Sequence, residues 1–136
     1  MDLEKIKNAR TKYIGKNIIY FKEIDSTQKY SKEMVNNNLK NGTIVITDNQ
    51  TKGIGTNGRN WYSNIGKNIT MTITVYPKVN YILIGVGFNV NEVDFCAEIK
   101  DIATSLKEEF KKDFSREDII VNFIEDLENV INNLVN

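Results

Sequence analysis

Histidine is missing from the 136-residue sequence. Its absence excludes histidine-based catalytic triads, histidine metal ligands and histidine general-base chemistry. The sequence contains a single cysteine, Cys96. One cysteine excludes an internal disulfide framework and is typical of proteins from a reducing cytosol.

Net charge is also lacking, because 18 lysine and arginine residues balance 18 aspartate and glutamate residues. No global field therefore recruits nucleic acid or an anionic membrane, and any anion site has to be local. No apolar run reaches the length of a membrane span, and the first residues lack the apolar segment of a secretory signal. We therefore predict a cytoplasmic protein that binds neither nucleic acid nor membranes.

The remaining composition is that of an ordinary globular protein, with 40% hydrophobic and 26% charged residues. The length suits one domain, which we place at residues 1–136. No internal repeat or low-complexity linker divides it.

Strand patterns occupy the front and middle of the chain. Residues 18–21 form a continuous apolar run, which predicts a strand buried on both faces. Residues 43–47 predict a second strand. Residues 69–75 alternate between apolar residues and threonine, which predicts a strand with one apolar and one polar face. A three-residue loop, residues 78–80, permits a hairpin to a fourth strand at residues 81–84.

Helix patterns follow the first strand and close the chain. The first predicted helix begins at Asp25-Ser26-Thr27 and ends at Asn41-Gly42. A second covers about residues 103–112, and Ser115-x-x-Asp118 is a capping-box pattern that starts a third, which carries an apolar stripe. The order of elements predicts an α+β fold, with a mixed sheet and helices packed on one of its faces.

The chemistry is concentrated in Gly53-Ile54-Gly55-Thr56-Asn57-Gly58, which formally satisfies G-x-G-x-x-G. A dinucleotide site would need this motif directly between a strand and a helix, with an acidic residue about 20 positions later. Five residues separate the motif from the preceding strand, and no acidic residue lies between Gly53 and Asn91. The motif therefore does not fit a dinucleotide site. It does not fit the glycine-rich loop of a protein kinase either, because no V-A-I-K or H-R-D motif follows.

A mobile surface loop with ordinary turn glycines is the simplest alternative. The neighbouring residues favour a ligand site instead. Gln50 can bind an amide, Arg59 can bind a phosphate with two hydrogen bonds, and Trp61 offers a flat face, while the glycines let backbone N–H groups approach a ligand.

Four motifs in order give a specific resemblance from about residue 14 to the end. They are Asp25-Ser26-Thr27-Gln28, the stretch from Gln50 through Trp61, the strand at residues 69–75, and Ile84-Gly85-Val86-Gly87-Phe88-Asn89-Val90-Asn91. Together they resemble the catalytic domain of biotin–protein ligases. The resemblance implies that family's sheet-and-helix fold, which is similar to that of class II aminoacyl-tRNA synthetases.

The resemblance also implies roles for individual residues. Contacts to biotin fall on Ser26, Thr27, Gln28, Gln50, Gly53, Ile54, Gly55 and Thr56. Contacts to the nucleotide fall on Asn57, Gly58, Arg59, Trp61 and Asn89, with Arg59 as the catalytic cation at the phosphate. The implied cofactors are ATP, biotin and Mg²⁺, and the implied partner is a biotin carboxyl carrier protein domain.

One family segment has no counterpart in the sequence. Members carry a Lys-[Trp/Phe]-Pro-Asn-Asp motif between the third and fourth strands, whereas the single proline of this chain, Pro77, precedes Lys78-Val79-Asn80. The family's DNA-binding domain and small C-terminal β-domain are also not found in these residues. We therefore predict a preference for biotin with poor turnover. Two alternative functions stay open: a binding module without catalysis, and a relative of the lipoate ligases or octanoyltransferases. A homodimer is compatible with any of these functions.

Overall fold

The computed structural model describes residues 1–54, 58, 61, 64–78 and 80–135. Within these residues, the strands form one mixed sheet in the order β1 (Ile18–Ile24), β2 (Thr43–Gln50), β3 (Ile69–Val75) and β4 (Ile82–Phe88). β1 and β2 are parallel, and β2–β3 and β3–β4 are antiparallel. The helices are α1 (Leu3–Lys7), α2 (Thr27–Met34), α3 (Leu106–Phe110) and α4 (Arg116–Val135). The predicted α+β class with a mixed sheet is confirmed.

One face of the sheet carries the hydrophobic core. The register pairs Ile44 with Ile73 and Ile73 with Ile84, so their side chains share this face. Ile120 and Ile124 of α4 are fully buried in the same cluster. Each buried isoleucine contributes about 1.5–3 kcal/mol, more than an exposed ion pair at about 0–1 kcal/mol. This packing, rather than surface charge, therefore fixes α4 on the sheet.

The opposite face of the sheet carries threonines and is covered by α2. Thr70, Thr72 and Thr74 alternate with the core residues of β3 and are themselves buried. The hydroxyls of Thr27, in α2, and Thr72 lie 2.9 Å apart. The prediction that the helices pack on one face of the sheet is therefore wrong. The threonine hydroxyls of this polar face can form hydrogen bonds with a helix that covers it, so α2 packs here.

The ends of two helices differ from the prediction. α2 stops at Met34 and continues as a 3₁₀ turn, Val35–Asn37, which ends where Asn38 adopts the left-handed conformation (φ 60°). Asparagine tolerates this conformation and ends helices for that reason. Gly42 is part of the entry to β2 instead, and its N–H donates to the Thr74 carbonyl at 2.7 Å.

α3 covers Leu106–Phe110 rather than residues 103–112. The side chain of Ser105 accepts a hydrogen bond from the Glu108 N–H, so Ser105 is the N-cap, and Lys111 ends the helix in the left-handed conformation. The predicted cap of α4 is confirmed, because Ser115 Oγ accepts from the Asp118 N–H at 3.2 Å.

The two edge strands are longer than predicted and more exposed. β1 is not buried on both faces: Tyr20 is 37% exposed, because β1 is an edge strand of the sheet that the described residues form. β4 covers Ile82–Phe88, and residues 76–81 connect it to β3, so the connection has six residues rather than three. β3 has the predicted bounds.

Candidate functional site

A cavity of about 570 Å³ lies at the start of α2 and the end of β2, over the middle of β3 and β4. Its volume suits a small organic molecule, since such sites usually enclose about 300–1,000 Å³. The described lining residues are Ser26, Thr27, Gln28, Lys29, Gln50, Ile54, Trp61, Thr70, Met71, Thr72, Gly85, Val86 and Gly87.

Gln50 joins two sides of this cavity. Its side-chain oxygen accepts from the Thr27 N–H at 2.8 Å and lies 3.3 Å from the Thr27 hydroxyl. Ser26 caps the same helix, with its hydroxyl accepting from the Lys29 N–H at 3.2 Å. These bonds occupy the carbonyl end of the Gln50 amide and leave the NH₂ end next to Gly53. Gln50 can therefore donate hydrogen bonds to a ligand while its oxygen holds α2.

The floor of the cavity is polar and closed. Thr72 is 1% exposed and lies within hydrogen-bonding distance of Thr27, while Thr70 accepts from the indole N–H of Trp61 at 3.2 Å. Hydroxyls both donate and accept. A polar but uncharged group can therefore be satisfied at this depth, whereas an isolated charge there would be costly.

Trp61 closes the base of the glycine-rich loop. The backbone N–H of Trp61 donates to the Gly53 carbonyl at 2.9 Å, which brings the two ends of residues 53–61 together. Its ring lies against Gly87, where an added Cβ would be 3.0 Å from the indole. Glycine at position 87 therefore gives the indole of Trp61 room on β4, and a side chain there would force the ring to shift.

Gly85 has the same relation to Gln28. A Cβ at position 85 would come within 2.6 Å of the Gln28 side-chain oxygen. The two glycines of β4 therefore make room for Trp61 and Gln28, so the second glycine motif shapes one wall of the cavity.

The electrostatics of the rim depend on Asp25 and Lys29. A hydrogen bond from the Ser26 N–H, with the Lys29 ammonium as a further cause, holds the pKa of the Asp25 carboxyl below its ordinary value against the opposing effect of burial. Asp25 is therefore ionised near neutral pH, with Lys29 Nζ 3.4 Å from its Oδ2.

A second charged group anchors the strand that carries Gln50. Arg116, at the start of α4, donates to Asp48 Oδ1 at 3.0 Å and to the Asn68 carbonyl at 3.1 Å, and the Tyr20 hydroxyl donates to Asp48 Oδ2. Burial raises the pKa of Asp48, but the Tyr20 and Arg116 hydrogen bonds outweigh it and lower the pKa overall. The end of β2 is thus tied to both β1 and α4.

The structure brings together six of the residues predicted for ligand contact. They are Ser26, Thr27, Gln28, Gln50, Ile54 and Trp61, and Gly53 lies against two of them. Gly58 is exposed, with a positive φ of 74°. The remaining loop residues, Gly55, Thr56, Asn57 and Arg59, lie outside the described residues.

Asn89 lies apart from the cavity lining. Its side-chain nitrogen donates to the Thr104 carbonyl at 3.1 Å. Within the described part of the chain, its side-chain oxygen is buried without a hydrogen-bond partner.

Sequence reasoning missed several lining residues. Lys29 was not predicted, and neither were the floor residues Thr70 and Thr72. The alternation of threonines in residues 69–75 was visible in the sequence. Its meaning depended on which helix covers that face, which periodicity alone does not reveal.

Among the described residues, no group of three or more His, Cys, Asp or Glu side chains is placed to hold a metal ion. None of the described helices combines the length and the apolar character that crossing a bilayer requires.

Comparisons with known proteins agree with this geometry. The model of the biotin/lipoate A/B protein ligase family matches residues 20–122. The bifunctional ligase/repressor BirA of Bacillus spizizenii is 27% identical over 174 residues, covering 85% of this chain and 54% of the relative. BirA of Bacillus subtilis is 26% identical over the same length and shares. The chain therefore spans about half the length of these relatives.

A solved structure shows the same fold. The biotin protein ligase from Aquifex aeolicus in complex with biotin and ATP superposes with a TM-score of 0.69 at 25% identity, covering 82% of this chain and 69% of that one. The alignment to the Bacillus spizizenii protein, at 174 residues, is longer than the whole 136-residue chain, so that relative has residues inside the matched region that this chain lacks. The family model covers most of the chain, including α2, β2, β3 and β4, which line the cavity, and the chain belongs to the biotin/lipoate A/B protein ligase family.

Proposed function

We propose that this chain binds biotin in the cavity at the start of α2 and joins the biotin carboxylate to the α-phosphate of ATP, which gives biotinyl-AMP and releases pyrophosphate. It then passes biotin to the amine of a carrier-domain lysine, which releases AMP. The observation that carries the proposal is the convergence of Ser26, Thr27, Gln50 and Trp61 on one cavity of about 570 Å³. Family membership and the Aquifex aeolicus ligase, whose complex holds biotin and ATP, support the same ligands.

The ring system of biotin suits the floor of the cavity. A ureido group is uncharged, donates two hydrogen bonds and accepts through one carbonyl. The Gln50 NH₂ group can donate to that carbonyl, and the hydroxyls of Thr27 and Thr72 can accept from its N–H groups. Ile54 and the indole of Trp61 add apolar contact for the sulfur-containing ring.

The adenylation step needs positive charge at the α-phosphate. Negative charge develops there as the biotin carboxylate attacks, and preformed donors are most useful at that point. We assign these donors to Arg59 and to the backbone N–H groups of residues 55–58. The loop would also shield the mixed anhydride from water.

Asn89 is proposed to contact the adenine. This role rests on the family resemblance, because the side-chain oxygen of Asn89 is buried among the described residues and Asn89 does not line the cavity. Mg²⁺ remains an implication of the family resemblance alone. The described residues do not supply a ligand set for it, so no step is assigned to a protein-bound metal.

Turnover is expected to be poor. The sequence has no Lys-x-Pro-Asn-Asp motif, and the matched region of a relative is longer than this whole chain. This observation favours a second candidate function, a module that binds biotin or its adenylate without transferring it. Both candidates require the same cavity, and they differ in chemistry rather than in binding.

Biotin-dependent exchange of labelled pyrophosphate into ATP separates these two functions. Exchange above a no-protein control, lost in Arg59→Gln, supports the ligase. Biotin binding without exchange supports the binding module. Tighter binding of lipoate or octanoate than of biotin would overturn both and place the chain with the lipoate branch of its family.

A further inference from the structure

Lys29 lines the cavity and carries a positive charge. Of the described lining residues it is the one with a charged side chain, and it lies in the first turn of α2. The helix dipole disfavours a cation in that turn. A lysine at this position therefore does not stabilise the helix. Residues that depart from local structural preferences in this way are often found at functional sites.

The contact that holds Lys29 is weak. Its ammonium is 3.4 Å from Asp25 Oδ2, and the two side chains are 64% and 40% exposed. Exposed pairs of this kind contribute little, because water and salt screen them. Lys29 can therefore exchange Asp25 for the anion of a ligand at little cost.

The floor of the cavity is neutral, whereas its rim carries charge. Thr72 and Thr27 are buried at the floor, with 1% and 3% exposure, and both are neutral. A carboxylate is costly to bury there and is stable where water and a cation are available. A ligand with a neutral polar head and a carboxylate tail would therefore place its head on the floor and its tail towards Lys29.

We propose that Lys29 binds the carboxylate of the ligand and so determines specificity for acids over their neutral derivatives. This inference rests on the proposed function, since it takes biotin as the ligand. It assigns to Lys29 an electrostatic role at the rim that is separate from head-group recognition by Gln50 and Thr27.

The test is calorimetric titration of the full chain with biotin and with biotin amide, which has the same ring system and no charge. Lys29→Gln is expected to weaken biotin binding about fivefold and to leave biotin amide binding unchanged. Lys29→Arg keeps the charge and should stay within about twofold of the native affinity. Lys32→Gln is the matched control, because Lys32 is an exposed lysine of the same helix outside the cavity lining.

The outcomes separate this inference from the proposed function. If the native chain binds biotin but Lys29→Gln weakens both ligands equally, or neither, the role of Lys29 is overturned and the function stands. If the native chain binds neither ligand, the proposed function fails and the inference fails with it. Raising the salt concentration should reduce biotin affinity in the native chain and not in Lys29→Gln.

Discussion

At the scale of single residues, Gln50 links the fold to the cavity. Its side-chain oxygen accepts from both the backbone N–H and the hydroxyl of Thr27. Gln50→Leu would leave these donors without a partner, so we expect a loss of about 1–3 kcal/mol in unfolding free energy and the loss of detectable biotin binding. Urea denaturation and calorimetry measure the two effects.

Gln50→Glu is the control, because it keeps an acceptor for Thr27 and removes the NH₂ donor. We expect near-native stability with weakened biotin binding. A Gln50→Leu variant as stable as the native chain would contradict the structural role, whereas native biotin affinity in Gln50→Glu would contradict the binding role.

How far the sequence predicts the site also depends on single residues. Ser26, Thr27 and Gln50 were predicted because they stand in motifs that resemble those of biotin–protein ligases. Lys29 and Thr72 were not, because their place in the cavity follows from the rotation of α2 and the register of β3. Neither of these is encoded in a short motif.

At the scale of elements, the fit between the glycine-rich loop and β4 is open to test. Gly87→Ala would place a Cβ 3.0 Å from the Trp61 ring and displace it from β4. Trp61 is the single tryptophan in the sequence, so its fluorescence reports this change directly. We expect a red-shifted emission and about tenfold weaker biotin binding, since a displaced anchor loosens the loop.

Gly85→Ala is the matched substitution on the same strand. Its Cβ would meet the flexible end of Gln28, which can move aside. Trp61 emission should stay native in this variant. Equal spectral shifts in the two variants would contradict a specific contact between Trp61 and position 87.

The contact between α4 and the segment before β1 predicts that the stability of the fold depends on pH. Glu128 is buried and accepts from the N–H groups of Lys12, Tyr13 and Ile14 at 2.7, 2.9 and 3.0 Å. Burial raises the pKa of Glu128, but the three N–H donors outweigh it and hold the pKa below its ordinary value of 4.5. The ionised form therefore stabilises the fold above pH 4.5, and this contribution is lost as the pH falls through the lowered pKa.

Glu128→Gln should be less stable than the native chain by about 1–3 kcal/mol at neutral pH. The difference should shrink as the pH is lowered to about 3, and urea denaturation at several pH values measures it. Glu33→Gln, at an exposed position on α2, is the control and should show little effect. A Glu128→Gln deficit that is the same at every pH would contradict the ionic origin.

The elements themselves were predicted unevenly. The bounds of β3 and the cap of α4 were right, because alternation and Ser115-x-x-Asp118 are strong local signals. The end of α2 was wrong, because a 3₁₀ turn and a left-handed Asn38 replaced the expected glycine stop. The burial of β1 was wrong because exposure at a sheet edge depends on neighbours far away in sequence.

At the scale of the whole molecule, β4 forms an edge of the sheet. Ile82 and Phe88 on this strand are 49% and 41% exposed. Exposed apolar edges promote association between copies, and a lysine on such an edge opposes it. We expect concentration-dependent association that Ile82→Lys reduces, as measured by light scattering, with biotin affinity unchanged. Equal association of the two proteins would contradict a role for this edge.

Calorimetric titration of the native chain with biotin tests whether the cavity between α2, β2 and β4 is a biotin site. We expect saturable binding of one biotin per chain, tighter than that of lipoate or octanoate, and abolished by Gln50→Leu. No saturable heat with biotin, or an affinity that Gln50→Leu leaves unchanged, would contradict it.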